Sequence, residues 1–193
     1  SEEILKAAVL FYLFARRRDE FDGIVDGVVY SAMVGLGFAF AENIDYYGRA
    51  LQTEGPEGLA VTITLRGIIS PYSHPLFTGM TGIGLGLARE TNRVWLRRVA
   101  PPLGLGLAIL LHALWNAGAQ AGCVFFAVYA FIMLPALGAL VGVVVWSLKR
   151  EGRLLRQYLR PEFDLGWIPA ASYDEVCSVR RRLRASVGAL LRG

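Results

Sequence analysis

The stretch PPLGLGLAILLHALWNAG, residues 101–118, decides how this chain is read. It is apolar over the ~17–25 residues a helix needs to cross hydrocarbon, yet its interior carries His112 and Asn116. Such side chains are expensive in lipid and mark function by default. The chain's other histidine, His74, lies beside Ser73 in a second stretch of this kind. Two acidic sites complete the set: Glu2-Glu3 opens the first apolar run, and Glu42-Asn43 closes the next.

Composition supports a membrane protein. Of 193 residues 54% are hydrophobic, and the mean hydropathy is +0.44, more apolar than a soluble domain of this length. Lys and Arg exceed Asp and Glu by 20 to 16, but the basic residues flank apolar runs. We read this excess as a topology signal and expect a lipid bilayer, and no nucleic acid, as partner. The opening Ser-Glu-Glu has no basic leader, so the first apolar run is not expected to be a signal peptide. The expectation is that further spans precede it.

The apolar runs cover residues 4–15, 23–44, 72–88, 101–118 and 123–148. They predict an all-α, multi-pass transmembrane helix bundle of about five spans. The transmembrane core is expected at 1–148 and a short cytoplasmic helical tail at 149–193. Gly82-x-x-x-Gly86 and Gly138-x-x-x-Gly142 have the spacing that lets helices approach closely, and Pro135 is expected to kink the last span. Arg16–Arg18, the arginines between 89 and 98, and the basic cluster from Lys149 fall on one side if the spans alternate. The positive-inside rule makes that side cytoplasmic.

With this topology the polar residues share a level. Glu2 and Glu3 sit at the outer end of the first span, and His74 opens the third from the outer side. At ~1.5 Å per residue, Glu42 lies about 28 Å from its cytoplasmic start and His112 about 16 Å above Pro101. His112 and Asn116, four residues apart, stack on one helix face. Glu2 and Glu3 point about 100° apart, so only one is expected to face the site, with Lys6 able to pair with either. Two histidines and a carboxylate match a zinc ligand set with a position open for water; Glu42, His74 and His112 are the candidate ligands. Without metal, a glutamate would activate water while His and Asn stabilise the oxyanion. Both routes are hydrolytic, with Glu2, Glu3, Glu42, His74, His112 and Asn116 as candidate catalytic residues. No cysteine pair or phosphate loop points to redox or phosphoryl transfer.

Glu2-Glu3-Ile4-Leu5-Lys6 fits a Glu-Glu-x-x-Lys motif, and Phe38 to Asn43 fits Phe-x-x-x-Glu-Asn. With His74 and the His112-x-x-x-Asn116 helix, these residues resemble the PrsW family of bacterial intramembrane proteases. The stretch from Asp22 through Ser31 into Gly35 is similar to that family's second motif helix. The resemblance covers roughly residues 2–120. It implies a peptidase that cuts membrane-anchored proteins near the extracytoplasmic face, in the first cleavage of an anti-sigma factor during regulated proteolysis. It also implies kinship with the CAAX prenyl protease group, whose Glu-Glu-x-x-x-Arg motif differs here by placing Lys6 one position earlier. Metal dependence stays open on the resemblance.

Other readings are blander. The same polar residues could serve a transporter or a non-catalytic scaffold. Asp22 and Asp26 are expected to pair with Arg16–Arg18. Arg66, in the outer connection, would either steer a substrate or lipid phosphate, or snorkel. Trp95, Trp115 and Trp146 read as interfacial belt residues. The glycines of Gly82–Gly86 lack the strand and acid of a nucleotide loop. In the tail, Ser172-x-x-Glu175 predicts the start of a helix running to about Leu191, whose arginines would meet anionic lipid or water. Cys123 and Cys177, predicted on opposite sides, cannot form a disulfide with each other.

Overall fold

A computed structural model describes residues 2–191, which are helical with no strand among them. They divide into two compact units, residues 1–141 and 142–193. The helices are α1 (Glu2–Arg16), α2 (Ile24–Thr62), α3 (Ser73–Glu90), α4 (Val94–Gln120), α5 (Val124–Val128), α6 (Leu134–Tyr158), α7 (Arg160–Asp164), α8 (Ala170–Cys177) and α9 (Val179–Leu190). Three helical stretches are long and apolar enough to cross a membrane: Ile24–Glu90, Val94–Gln120 and Val124–Tyr158. The first reverses at Ser70-Pro71, so that α2 and α3 run antiparallel. Large apolar side chains face outward, Leu103 at 66% and Phe131 at 81% exposure. In lipid such residues are solvated, and helix association rests on packing and hydrogen bonds.

Glycine packing holds the first unit together. A Cβ at Gly82 would collide with Ser31 Oγ and the carbonyl of Gly27, and one at Gly84 with the carbonyl of Ala100. The backbones of α2, α3 and α4 therefore meet along α3, which is buried over most of its length. At Gly35 a Cβ would lie 2.8 Å from Pro75 N, which draws the start of α3 against α2. Gly138 behaves differently, since a Cβ there would meet nothing within 4 Å; only the Gly82–Gly86 spacing marks a helix contact.

The outer connection expected between residues 46 and 70 is mostly helix. α2 continues to Thr62 across a break at Gly55 (φ 73°), followed by a π-helical segment at Ile63–Ile69. Pro56 disfavours helical geometry at the residue before it, and glycine tolerates the positive φ. Beyond the break, Thr62 and Thr64 turn their hydroxyls back onto the carbonyls of Gly58 and Ala60, four residues earlier. The kink expected at Pro135 takes the form of a π segment, Tyr129–Met133, just before it. Proline lacks the N–H that would close the preceding α turn.

In the second unit, α6 runs past Lys149 to Tyr158. Ser172 does not begin a helix: α8 already starts at Ala170, after Pro169. The chain instead breaks at Ser178 (φ −114°, ψ 114°), whose hydroxyl caps α9 through Arg181 N at 3.5 Å. A serine in extended geometry outcompetes a capping-box spacing already inside a helix. Tyr173 stacks on Phe163 at 4.5 Å and donates to the carbonyl of Arg156 at 2.7 Å.

Candidate active site

Four helices deliver the site. The buried face of α1 reads Glu3, Lys6, Ala7, Leu10, the i, i+3, i+4, i+7 pattern of a packed helix, but its first two members are charged. Glu3 and Lys6 are 1% and 2% exposed. Lys6 Nζ donates to Glu3 Oε1 at 2.7 Å and lies 3.9 Å from Glu2 Oε2. Buried charges persist only when paired and hydrogen-bonded, and Glu3 is both. Its Oε1 also receives His112 Nδ1 at 2.9 Å, and its Oε2 accepts from Thr78 Oγ1 at 3.2 Å.

These bonds assign the imidazole tautomers. A lysine ammonium has only donors, so the 2.9 Å contact of Lys6 Nζ with His74 Nδ1 makes that nitrogen an acceptor. The proton sits on Nε2 and points at Glu42 Oε2, 3.0 Å away. At His112 the carboxylate of Glu3 takes the Nδ1 proton, which leaves the Nε2 lone pair facing Glu2 Oε2 at 3.5 Å. The two imidazoles stand perpendicular with centroids 5.4 Å apart. Phe77 stacks on His112 at 5.0 Å, and Phe38 lies 4.1 Å beneath the Lys6 ammonium. The aromatic of the Phe-x-x-x-Glu-Asn pattern thus supports a buried cation.

Glu2 and Glu3 both reach His112, despite the angle between them on the helix, because long side chains converge where Cβ directions diverge. Glu2 differs in one respect: its Oε2 is buried and has no hydrogen-bond partner. Ligand atoms of Glu2, His74 and His112 all lie within 4.8 Å of one another. A buried orphan oxygen beside an imidazole lone pair is a donor set that fits a metal ion. Glu42 instead meets His74 Nε2 and the guanidinium of Arg66.

A sequence profile for PrsW family intramembrane metalloproteases matches residues 1–151. The chain belongs to that family. It is 42% identical over 167 residues to "Protease PrsW" of Geobacillus kaustophilus, covering 83% of this chain and 63% of the relative. It is 31% identical over 149 residues to that of Oceanobacillus iheyensis (77% and 62%), and 30% over 158 residues to that of Halalkalibacterium halodurans (80% and 66%). The chain thus spans about two thirds of the length of these curated relatives. No solved structure matches it.

Two cavities flank the cluster in this PrsW-family chain. One, about 220 Å³, is lined by Glu2, Glu3, His112 and Asn116 with Ile109 and Ala113. The other, about 480 Å³, brings His74 together with Asn43, Arg66, Ser73 and Trp115. All six candidate residues thus adjoin the buried cluster or its cavities, with Asn116 exposed at the smaller one. Trp115 packs on Phe77, Phe125 and Tyr129, whereas Trp95 and Trp146 are 60% and 52% exposed. Arg66 is neither loop nor snorkel. It binds Glu42, donates from Nε to Asn43 Oδ1 at 2.7 Å and stacks 3.9 Å over Tyr46. Its only sequence signal is an arginine amid apolar residues, since its partners lie twenty or more positions away.

Proposed function

We propose that this chain is the catalytic part of an intramembrane endopeptidase. It hydrolyses a peptide bond of a membrane-anchored protein near the extracytoplasmic face, with an anti-sigma factor as substrate in the first step of regulated proteolysis. On this reading residues 1–148 form the transmembrane core and 149–193 a cytoplasmic tail. The observation that carries it is the buried cluster, in which Glu3, Lys6 and Glu42 bond the two imidazoles while the buried Oε2 of Glu2 has no hydrogen-bond partner.

Glu2, His74 and His112 would hold a metal ion, zinc by ligand type. Such an ion supplies Lewis acidity and a bound water that ionises near neutral pH. Glu3 holds His112 by Nδ1 so that Nε2 faces Glu2, as carboxylates commonly fix metal-binding histidines. Lys6 occupies His74 Nδ1 and neutralises Glu3; for His74 to offer that lone pair, Lys6 must turn away. Glu42 Oε2 accepts the proton of His74 Nε2 and is the base positioned to move one. Arg66 and Asn43 hold Glu42 beside the larger cavity, which has room for an unwound substrate segment. Unwinding is required because a helix shields its own peptide bonds. Asn116 adjoins the smaller cavity, where its amide would donate to an oxyanion.

The test is cleavage of a single-pass substrate by reconstituted protein, comparing wild type with Glu42→Ala and His112→Ala. Both variants should lose at least about a hundredfold in rate, the range of a missing acid-base group. Undiminished cleavage by both would sink the site assignment.

A further inference from the structure

A second charged cluster, distinct from the buried one, lies wholly within residues 142–193. Lys149, Arg153 and Arg156 on α6 and Arg180 and Arg184 on α9 line a groove of about 650 Å³, with Leu183 among its apolar members. Among the described residues no carboxylate lines it. The nearby acids are engaged elsewhere: Glu151 pairs with Arg182 at 2.5 Å, and Asp174 with Arg181 at 3.3 Å, reaching Arg156 only at 3.9 Å. Asp174, 3.9 Å from Arg156, offsets little of this charge; like charges that converge repel one another, and guanidinium groups in a groove suit phosphate oxygens.

What would supply the phosphate follows from the helix beside it. On α9, Leu183, Val187 and Leu190 recur at i, i+4, i+7, and all are exposed, Leu190 at 84%. An apolar stripe bordered by arginines is the pattern of a helix lying in a membrane interface. α6 arrives from a membrane-crossing stretch. The groove begins at Lys149, just after Trp146, which is half exposed with Arg150 over its ring at 5.7 Å; that is the position of an interfacial belt. A soluble phosphate would answer the arginines but leave the stripe uncovered.

We propose that this groove binds the headgroup phosphate of an anionic phospholipid, with the stripe of α9 seated among the lipid chains below. The full chain, purified in mild detergent, is offered equal phosphatidylglycerol and phosphatidylcholine, and retained lipid is read by native mass spectrometry. Wild type should hold phosphatidylglycerol about tenfold over phosphatidylcholine, since each basic residue near an anionic surface contributes roughly a fivefold preference before screening. Arg153→Gln/Arg180→Gln/Arg184→Gln should bring the two lipids level, while Arg160→Gln, outside the groove, should not. Equal retention by wild type, or unchanged preference in the triple variant, overturns the proposal. So does displacement of the lipid by millimolar inorganic phosphate together with indifference to Val187→Ser/Leu190→Ser, which would make it a soluble-phosphate site. Should the triple variant misfold, amide exchange in wild type decides. Residues 179–190 should exchange more slowly in bilayers containing phosphatidylglycerol than in phosphatidylcholine alone; identical exchange rejects the site.

Discussion

α3 and α6 are both apolar, both glycine-bearing, and both run into arginines at their C-terminal ends, yet they are used differently. α3 is buried over most of its length, while the most apolar window around α6 is only 11% buried. The reason lies in the partners. Gly82 of α3 faces Ser31 and Gly27 of α2, Gly86 closes on the Cα of Ile24 and the carbonyl of Gly23, and Gly84 faces Ala100 and Gly104 of α4, so backbone approaches backbone. α6 offers Leu140 to Gly79, but its own Gly138 meets nothing. A glycine makes a close backbone contact only where a facing helix comes near at the same height. The charges follow the packing: Lys6 and Glu3 pair near α3 at 1% exposure, whereas Arg160 and Asp164 beyond α6 pair at 62% and 54%. Exposed pairs contribute ~0–1 kcal/mol; removing one member of a buried pair costs ~3–5 kcal/mol. The α3 region can therefore hold groups in fixed orientation, and that is where the chemistry belongs.

The largest expected effect breaks this contrast at Glu2. Glu2→Gln keeps the shape but removes the charge of the orphan oxygen, without stranding Lys6, whose short bond is to Glu3. Cleavage should fall by about 10²-fold or more, and metal bound per purified chain should fall with it, while thermal unfolding stays near wild type. Activity within a factor of two of wild type would remove Glu2 from the site. A matched truncation on the other helix, Trp146→Ala, should leave cleavage unchanged.

Next in size is packing. Gly82→Leu drives a side chain into Ser31 and the Gly27 backbone. Overpacking of this kind typically costs ~1–3 kcal/mol and more where backbones touch, so the melting temperature should drop and His74, on the same helix, should be misplaced. Gly138→Leu should unfold like wild type. If both leucines are tolerated equally, the close approach of α2 and α3 is not what holds the bundle.

The all-helical, multi-pass architecture was legible in apolar run length and in the arginines between runs. The six candidate residues stood out in the sequence because each is a polar group in or beside an apolar run. Local spacing could not reveal which partner each would find. The carboxylates of Glu2 and Glu3 diverge by helix angle but converge by side-chain reach. Arg66 was expected in an outer connection, but the chain beyond Gly55 is helical, and its π segment brings the guanidinium onto Glu42. The capping spacing at Ser172 was present but lost to a better cap at Ser178.

Arg66 sets a smaller expectation. Arg66→Gln removes one partner of Glu42 while leaving its bond with His74 and the Glu3–His112 pair in place. We expect about tenfold lower kcat with metal content unchanged, since one oriented charge-assisted hydrogen bond is worth ~1.5–3 kcal/mol. Arg66→Lys should not restore it, because an ammonium cannot bond Asn43 and Glu42 while stacked flat on Tyr46. Full rescue by lysine would reduce Arg66 to a point charge.

The smallest effect is the sharpest probe of the comparison. Gly138→Ala adds one methyl where nothing lies within 4 Å, and alanine favours helix over glycine by ~0.8–1.0 kcal/mol. Lipid shields the backbone from water and narrows that gain, so a rise of a few degrees or less in melting temperature is expected, with cleavage unaltered. The same change at Gly27, opposite Gly82, should lower the melting temperature instead. Opposite signs for one methyl on two glycines would show that neighbours, not spacing, decide which glycines pack; a fall at Gly138 would mean that another surface covers α6 in the membrane.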